Sequence, residues 1–218
     1  MNFCRNLALG LVAWPAFTAP ARALDWKATT LTVTTAPFQT TQEAAFEFKN
    51  NGSKPVTIRD LETSCDCLDA TSEMKVYAPG ASGIIKAKFT VGDRIGLYER
   101  IVTVVTDEPG DPVRLLLQVE VPPTALLEPR SVAWPLNGTA VEKSIELRPA
   151  AGLEIIFDHA ETTNDAFVVR LLAVEPGRHY FLYLKPLDTT HAANAAVRIF
   201  GREKSGHAVL VSAYADVQ

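Results

Sequence analysis

The sequence predicts an all-β chain, two β-sandwich domains in tandem behind an N-terminal signal peptide. Three observations lead there. Short segments of alternating apolar and polar residues recur after residue 23, with no helical period longer than about two turns. Clusters of turn-forming residues separate these segments. A proline pair, Pro122-Pro123, interrupts the pattern near its middle, and the pattern then begins again.

At the start of the chain Arg5 supplies a short positive region, Leu7 to Phe17 an apolar stretch, and Ala21-Arg22-Ala23 a small-x-small cleavage site. Residues 1–23 are therefore expected to be a signal peptide cleaved after Ala23, which makes the mature chain periplasmic or secreted. The apolar run is interrupted by Pro15 and is shorter than the roughly 20 residues a spanning helix needs. No later stretch is long and apolar enough to cross a bilayer. Cys4 precedes the apolar region, so it is not placed to become the lipid-modified first residue of a lipoprotein.

The rest is about 195 residues, room for one large or two small domains. Without Arg5 and Arg22 the 21 basic residues become 19 against 25 acidic ones, a net charge near −6. Such a surface repels phosphate backbones, which argues against nucleic acid as a partner. Aliphatic and aromatic residues are plentiful and no low-complexity tract interrupts them, which argues against disorder.

In the first half the alternating segments run over Thr30 to Thr34, Ala44 to Lys49, Val56 to Glu62, Met74 to Tyr77, Gly83 to Val91, Glu99 to Thr106 and Val113 to Val121. Asn50-Asn51-Gly52-Ser53, Pro79-Gly80-Ala81-Ser82-Gly83 and Glu108-Pro109-Gly110-Asp111-Pro112 supply the turns between them. Seven short strands within about 95 residues are the pattern of an immunoglobulin-like sandwich. A period of two puts Phe46 and Phe48 on one face, and likewise Ile85, Ala87 and Phe89, and Ile101, Thr103 and Val105. These faces are expected to form the core. Each large apolar side chain buried there contributes roughly 1.5–3 kcal/mol, so about a dozen can hold a domain of this size without a disulfide.

Proline lacks the donor that a central strand requires, so Pro122-Pro123 ends the last of these strands and sets domains at 24–122 and 123–218. The second half offers Val141 to Leu147, Glu154 to Asp158, Phe167 to Leu172, His179 to Leu184, Ala195 to Phe200 and Ala208 to Tyr214. Glu175-Pro176-Gly177 precedes a strand much as Ala78-Pro79-Gly80 does. Counting from that turn, Glu161-Thr162-Thr163-Asn164 falls near the position of Thr63-Ser64-Cys65-Asp66. The halves read as divergent repeats, the second without thiols.

Phe46-Glu47-Phe48-Lys49-Asn50-Asn51-Gly52, Pro55-Val56-Thr57-Ile58, Ser64-Cys65-Asp66-Cys67 and Pro79-Gly80 follow one another in that order. Together they resemble a widespread bacterial secreted domain family marked by a Ser-Cys-Gly-Cys signature, grouped with the Hydin-type (ASH-like) immunoglobulin folds. The resemblance covers about residues 30–121 and implies a fold without bringing a reaction. Asp66 stands where the family usually has glycine. Aspartate tolerates the left-handed region better than most residues, should the turn require a positive φ.

Cys65 and Cys67 are the chemically distinctive pair. On a regular strand their Cα atoms would lie about 6.6 Å apart, at the far edge of disulfide geometry, so a bridge needs a bend. Ser64, Asp66 and Asp69 are turn formers, and an exported chain meets oxidising conditions. A second reading is soft-metal binding, Cu(I) or Zn(II) on two thiolates with Met74 as a weak third ligand, although two ligands fall short of a closed zinc site and a strand methionine is commonly core filler. A third is redox chemistry. Glu62, Asp66, Asp69 and Glu73 stand nearby in sequence, and carboxylates raise a thiol's pKa and so oppose an efficient nucleophile. The fourth is a pair of small inert side chains.

His159, His179, His191 and His207 all lie in the cysteine-free half, and no two have metal-like spacing. Phosphate loops, Gly-x-Ser-x-Gly elbows and paired-histidine motifs are missing from the sequence. The expectation is a non-enzymatic protein-interaction or scaffold module of the periplasm or cell envelope, with no cofactor and no catalytic residue. Its partner is an envelope protein met through sandwich edges or loops. The alternatives are Cu(I) or thiol/disulfide handling through Cys65 and Cys67, and a pilus-type periplasmic chaperone, although the basic anchor and long donor strand of such chaperones are not evident.

Overall fold

The computed structural model describes residues 22–92 and 95–218. Residues 1–21, most of the expected signal segment with Cys4 and Arg5, lie outside the described residues. Every described element is a strand, and no described helix is long and apolar enough to cross a membrane.

Nine strands precede Pro122-Pro123: β1 (Leu24–Trp26), β2 (Thr30–Thr34), β3 (Thr41–Asn50), β4 (Val56–Thr63), β5 (Leu68–Ser72), β6 (Val76–Tyr77), β7 (Ser82–Thr90), β8 (Gly96–Thr106) and β9 (Val113–Val121). They form two sheets, ordered β1-β3-β7-β5 and β2-β9-β8-β4-β6. Eight strands follow: β10 (Ala125–Glu128), β11 (Ser131–Trp134), β12 (Lys143–Pro149), β13 (Ile155–Thr162), β14 (Phe167–Glu175), β15 (His179–Pro186), β16 (Ala193–Glu203) and β17 (Ala208–Val217). Their sheets are ordered β10-β12-β15-β14 and β11-β17-β16-β13. Strand for strand the two arrangements are the same, with β6 alone lacking a counterpart. Both follow the sheet order of the immunoglobulin sandwich. The chain folds as two immunoglobulin-like β-sandwiches, and every sheet among the described strands is drawn from one side of Pro122-Pro123. By spatial proximity residues 44–87 and 101–116 fall in one compact unit and residues 117–218 in another, with 32–43 and 88–100 assigned to the latter.

The inward faces follow the period of two. Phe46, Phe48, Ile85, Ala87 and Phe89 are buried as expected. In β8 the phase is the opposite of the expected one: Val102 and Val104 are the fully buried residues, while Ile101, Thr103 and Val105 are only half-buried. Both parities of Ile101 to Val105 are apolar, so alternation alone does not select a face. The antiparallel register with β4, which sets Leu61 against Val104 and Thr63 against Val102, does. The second core gathers Trp134, Ile145, Leu147, Leu182, Val197 and Ile199.

The repeat reaches individual turns. Pro79 and Pro176 preset the second position of a type II turn, and Gly80 and Gly177 take φ of 79° and 85° at the third. The N–H of Ala81 donates to the carbonyl of Ala78, and that of Arg178 to the carbonyl of Glu175, each at 3.0 Å. A register shift between Ile58 and Asp60 recurs between Phe157 and His159.

Three carboxylates accept hydrogen bonds from backbone N–H groups, Asp188 from Thr190, Glu203 from Ser205 and Asp107 from Thr57. The hydroxyl and N–H of Thr190 hold Asp188 far below the usual carboxylate range, Ser205 lowers Glu203 through its hydroxyl, and the N–H of Thr57 lowers Asp107 at 2.8 Å. A carboxylate whose folded pKa lies below its unfolded value adds stability above the unfolded value, near pH 4, and loses it as the pH falls through the folded one. Thermal melts should therefore show a melting temperature that declines from about pH 5 toward pH 2. A rise over that window would contradict the assignment.

Candidate functional site

β4 ends at Thr63 and β5 begins at Leu68, so Ser64-Cys65-Asp66-Cys67 is a turn between opposite sheets. The bend brings the Cα atoms of Cys65 and Cys67 to 5.2 Å, and their sulfurs are joined at 2.04 Å. Both cysteines are half-buried and Asp66 between them is exposed. Hydrogen bonds that involve no sulfur hold the turn in place. The N–H of Ser64 donates to the carbonyl of Ile101 and the N–H of Ile101 to Ser64 Oγ, both at 3.0 Å. The N–H of Leu68 donates to the carbonyl of Cys65 at 3.2 Å, and the Thr63 hydroxyl donates to the same carbonyl at 3.3 Å. Asp66 is not among the residues with positive φ, so the turn does not require glycine at this position.

The same turn recurs one sandwich later. β13 ends at Thr162 and β14 begins at Phe167, which aligns Thr163, Asn164, Asp165 and Ala166 with Ser64, Cys65, Asp66 and Cys67. The register is one residue further along than the near match read from the sequence and two further than a strict count from the Pro-Gly turns, because the first sandwich makes a detour through β6 before its turn. Thr163 repeats Ser64: its N–H donates to the carbonyl of Ala196 and its Oγ1 accepts from the N–H of Ala196, both at 3.0 Å. The N–H of Phe167 donates to the carbonyl of Asn164 at 3.2 Å, as Leu68 does to Cys65. Where the first turn has a disulfide from residue i to i+2, the second has Asn164 Oδ1 accepting the N–H of Ala166 at 2.9 Å.

Met74, the weak third ligand of the metal reading, lies in the crossing between β5 and β6 and is 49% exposed, so it is not core filler. Its backbone engages the turn around it: the N–H donates to Tyr77 Oη at 3.4 Å and the carbonyl accepts from Ser72 Oγ at 2.8 Å. Among the described residues no three His, Cys, Asp or Glu side chains converge as a metal site. Glu62, Asp66 and Asp69 are exposed, and Glu73 pairs with Lys86 at 2.9 Å. Ala23, the expected cleavage residue, accepts from the N–H of Asn51 at 2.8 Å and donates its own N–H to Glu108 at 2.6 Å. The histidines engage carboxylates individually; His179, the least exposed, lies 2.7 Å from Glu146, whose carboxyl is lowered chiefly by Arg148.

Asn50 carries more than its place in a turn motif suggests. It is fully buried, its side-chain amide donates to the carbonyls of Tyr77 at 2.8 Å and Lys54 at 2.9 Å, and its Oδ1 accepts the N–H of Gly52 at 2.9 Å. Its own carbonyl accepts the N–H of Gly80 at 2.7 Å, and its N–H donates to Ala81 at 2.8 Å. Two of the sequence motifs thus meet at one residue.

Comparison with known proteins bears on this first sandwich. Residues 24–121 match the family described as Protein of unknown function (DUF1573). The matched stretch contains Asn50, the Cys65–Cys67 turn and Pro79-Gly80, and it stops before Pro122-Pro123. No curated protein matches the chain. Solved structures of similar outline include an ASH/PapD-like domain of human CEP192, at 15% identity and TM-score 0.41 over 54% of this chain and 97% of that one. The CupB2 chaperone of Pseudomonas aeruginosa follows at 11% identity and TM-score 0.35, over 87% and 99%. The VesB protease of Vibrio cholerae matches at 11% identity and TM-score 0.38 over 46% of this chain, which spans only 32% of the protease.

Proposed function

We propose that the chain is an exported, non-enzymatic interaction module of the periplasm or cell envelope, divided at Pro122-Pro123, that binds another protein by strand addition along β14. One observation carries the reading. β14 is a nine-residue strand at the end of its sheet, and Val168, Leu172 and Val174 on it are 52%, 43% and 53% exposed. Sheet edges are commonly blunted by short length, proline, bulges or charge, because unpaired backbone groups recruit other strands. β14 departs from regular pairing with β15 only near its end, between Ala173 and Glu175, whereas the equivalent edge of the first sandwich is short throughout: β5 has five residues, after which the chain crosses to the other sheet. The charges on β14 are already engaged, Arg170 with Glu142 at 3.3 Å and over the ring of Tyr183, Glu175 with Arg178 at 3.5 Å. Export rests on the composition of the first 23 residues.

A photocrosslinker at Leu172, in cells that make the full chain, should give a discrete adduct with one envelope protein. Leu172→Lys with Val174→Lys should lower the yield of that adduct from a neighbouring crosslinker about tenfold, since edge lysines oppose strand addition, and leave the melting temperature within about 3 °C. Equal adducts from a crosslinker at Leu126 on the opposite edge strand, β10, would sink the reading.

A further inference from the structure

The Cys65–Cys67 turn exists twice in this chain, once with a disulfide and once without, and the version without it keeps the same geometry. Thr163 and Phe167 repeat the backbone hydrogen bonds of Ser64 and Leu68 at the same distances, and one bond from the N–H of Ala166 to Asn164 Oδ1 spans what the disulfide spans. The fold therefore closes this turn without sulfur. A bond across three residues also removes less freedom from the unfolded chain than a long-range bond does, because loop-closure entropy grows with loop length. The two sulfurs sit on residues that are half-buried, at a strand-to-strand turn and outside the buried core. A staple would join distant segments or lie sealed in the core; this bond does neither.

We propose that Cys65–Cys67 is a thiol–disulfide exchange site, whose co-reactant is a dithiol and whose oxidation state changes while the sandwich stays folded. In the step, a thiolate of the dithiol attacks one sulfur and the other leaves as a thiolate that takes up a proton. The second thiol of the donor then displaces the first sulfur. The donor departs as a disulfide, two electrons and two protons reside on Cys65 and Cys67, and the reverse sequence closes the bond again. The turn persists in the dithiol form because its bonds from Ser64 to Ile101, Leu68 to Cys65 and Thr63 to Cys65 use no sulfur atom.

Native full-length protein equilibrated with a graded series of reduced and oxidised dithiothreitol, then acid-quenched, alkylated and weighed, tests this directly. Two alkyl groups per chain, beyond any on Cys4, should appear as the buffer is made reducing, disappear on return to the oxidised buffer, and leave the far-ultraviolet circular dichroism unchanged. The melting temperature of the reduced form should lie within about 5 °C of the oxidised one. A bond that stays closed in reducing buffer until denaturant is added would mark a protected staple and overturn the proposal. So would loss of the folded spectrum on reduction. The variant Cys65→Asn with Cys67→Ala, which copies the second turn, separates exchange from folding: it should fold, melt within the same interval and take no alkyl label beyond any on Cys4. If it fails to fold, the disulfide is architectural and the proposal fails.

Discussion

Replacing Asn50 with leucine should destabilise the first sandwich by about 3 kcal/mol, because buried polar groups left without partners cost roughly 1–3 kcal/mol each. Leucine keeps the branched outline of asparagine, so the main effect is the loss of polar partners. It strands the carbonyls of Tyr77 and Lys54 and the N–H of Gly52, which the Asn50 side chain serves at 2.8–2.9 Å. The loss is below the sum of three such penalties because the Lys54 and Gly52 contacts are only partly buried and water can reach them. Asn50→Asp gives the sharper test. It keeps the acceptor for Gly52 but turns an oxygen toward two carbonyls, so its carboxyl should be raised well above the usual range by burial and by those dipoles. A raised folded pKa penalises folding above the unfolded value, and the penalty is relieved as the pH falls. Asn50→Asp should therefore be less stable than Asn50→Leu at pH 7 and recover part of the difference at about pH 4 in chemical denaturation. Equal denaturation midpoints for wild type and Asn50→Leu would mean that the node contributes nothing.

That node also marks where sequence reasoning reaches its limit. Asn50 precedes Asn51-Gly52, and an asparagine beside such a pair reads as a local turn former. Its decisive partners, Tyr77 and Gly80, are about thirty residues away, and no local pattern reveals them. The long strands were legible for the opposite reason. β2 and β9 have the expected bounds, since alternation over five to nine residues between turn clusters is a strong local signal. β1, β10 and β11, at three or four residues, are too short to establish a period, and β5 begins immediately after the cysteine turn. Phase failed in β8 because both faces of Ile101 to Val105 are apolar, and only the pairing with β4 decides between them.

The cysteine pair shows the same division. Spacing alone leaves two geometries, about 6.6 Å between Cα atoms along a strand or a closer approach in a bend, and the choice depends on where β4 stops. Ser64 stops it by bonding Ile101 of the neighbouring strand through both its N–H and its hydroxyl. The repeat relation was visible in the paired Pro-Gly turns, yet its register slipped. Pro79 lies fourteen residues after Cys65 and Pro176 twelve after Asn164, the difference being the excursion into β6. A count from the turn cannot know that one copy changes sheets on the way.

The same excursion sets the last expectation, that Gly83→Ala should cost about 3 kcal/mol, the upper part of the range for overpacking a filled core. β6 brings Tyr77 into the core, where it is fully buried and meets Phe48 edge to face at 4.7 Å between ring centres. A Cβ at Gly83 would stand 2.3 Å from the Tyr77 ring and 2.4 Å from the Phe48 ring, so glycine is required here for space. Neither ring has room to yield. Tyr77 Oη is bonded to Ser72 Oγ at 2.7 Å, and Phe48 is 3% exposed. In the second sandwich no strand corresponds to β6, and the residue at the place of Gly83 is Tyr180, counted from the paired turn glycines Gly80 and Gly177. Tyr180 meets Phe157 edge to face, donates to the carbonyl of Ile155 and accepts from the N–H of Gly177. Each domain thus buries one tyrosine near its Pro-Gly turn, supplied by β6 in the first and by β15 in the second. If the clash with Tyr77 is the cause, Tyr77→Leu combined with Gly83→Ala should be more stable than the sum of the single losses predicts, by at least about 1 kcal/mol in a double-mutant cycle read by urea denaturation. Strict additivity, or a Gly83→Ala variant as stable as the wild type, would show that the strand can move aside and that the close approach is not what fixes glycine there.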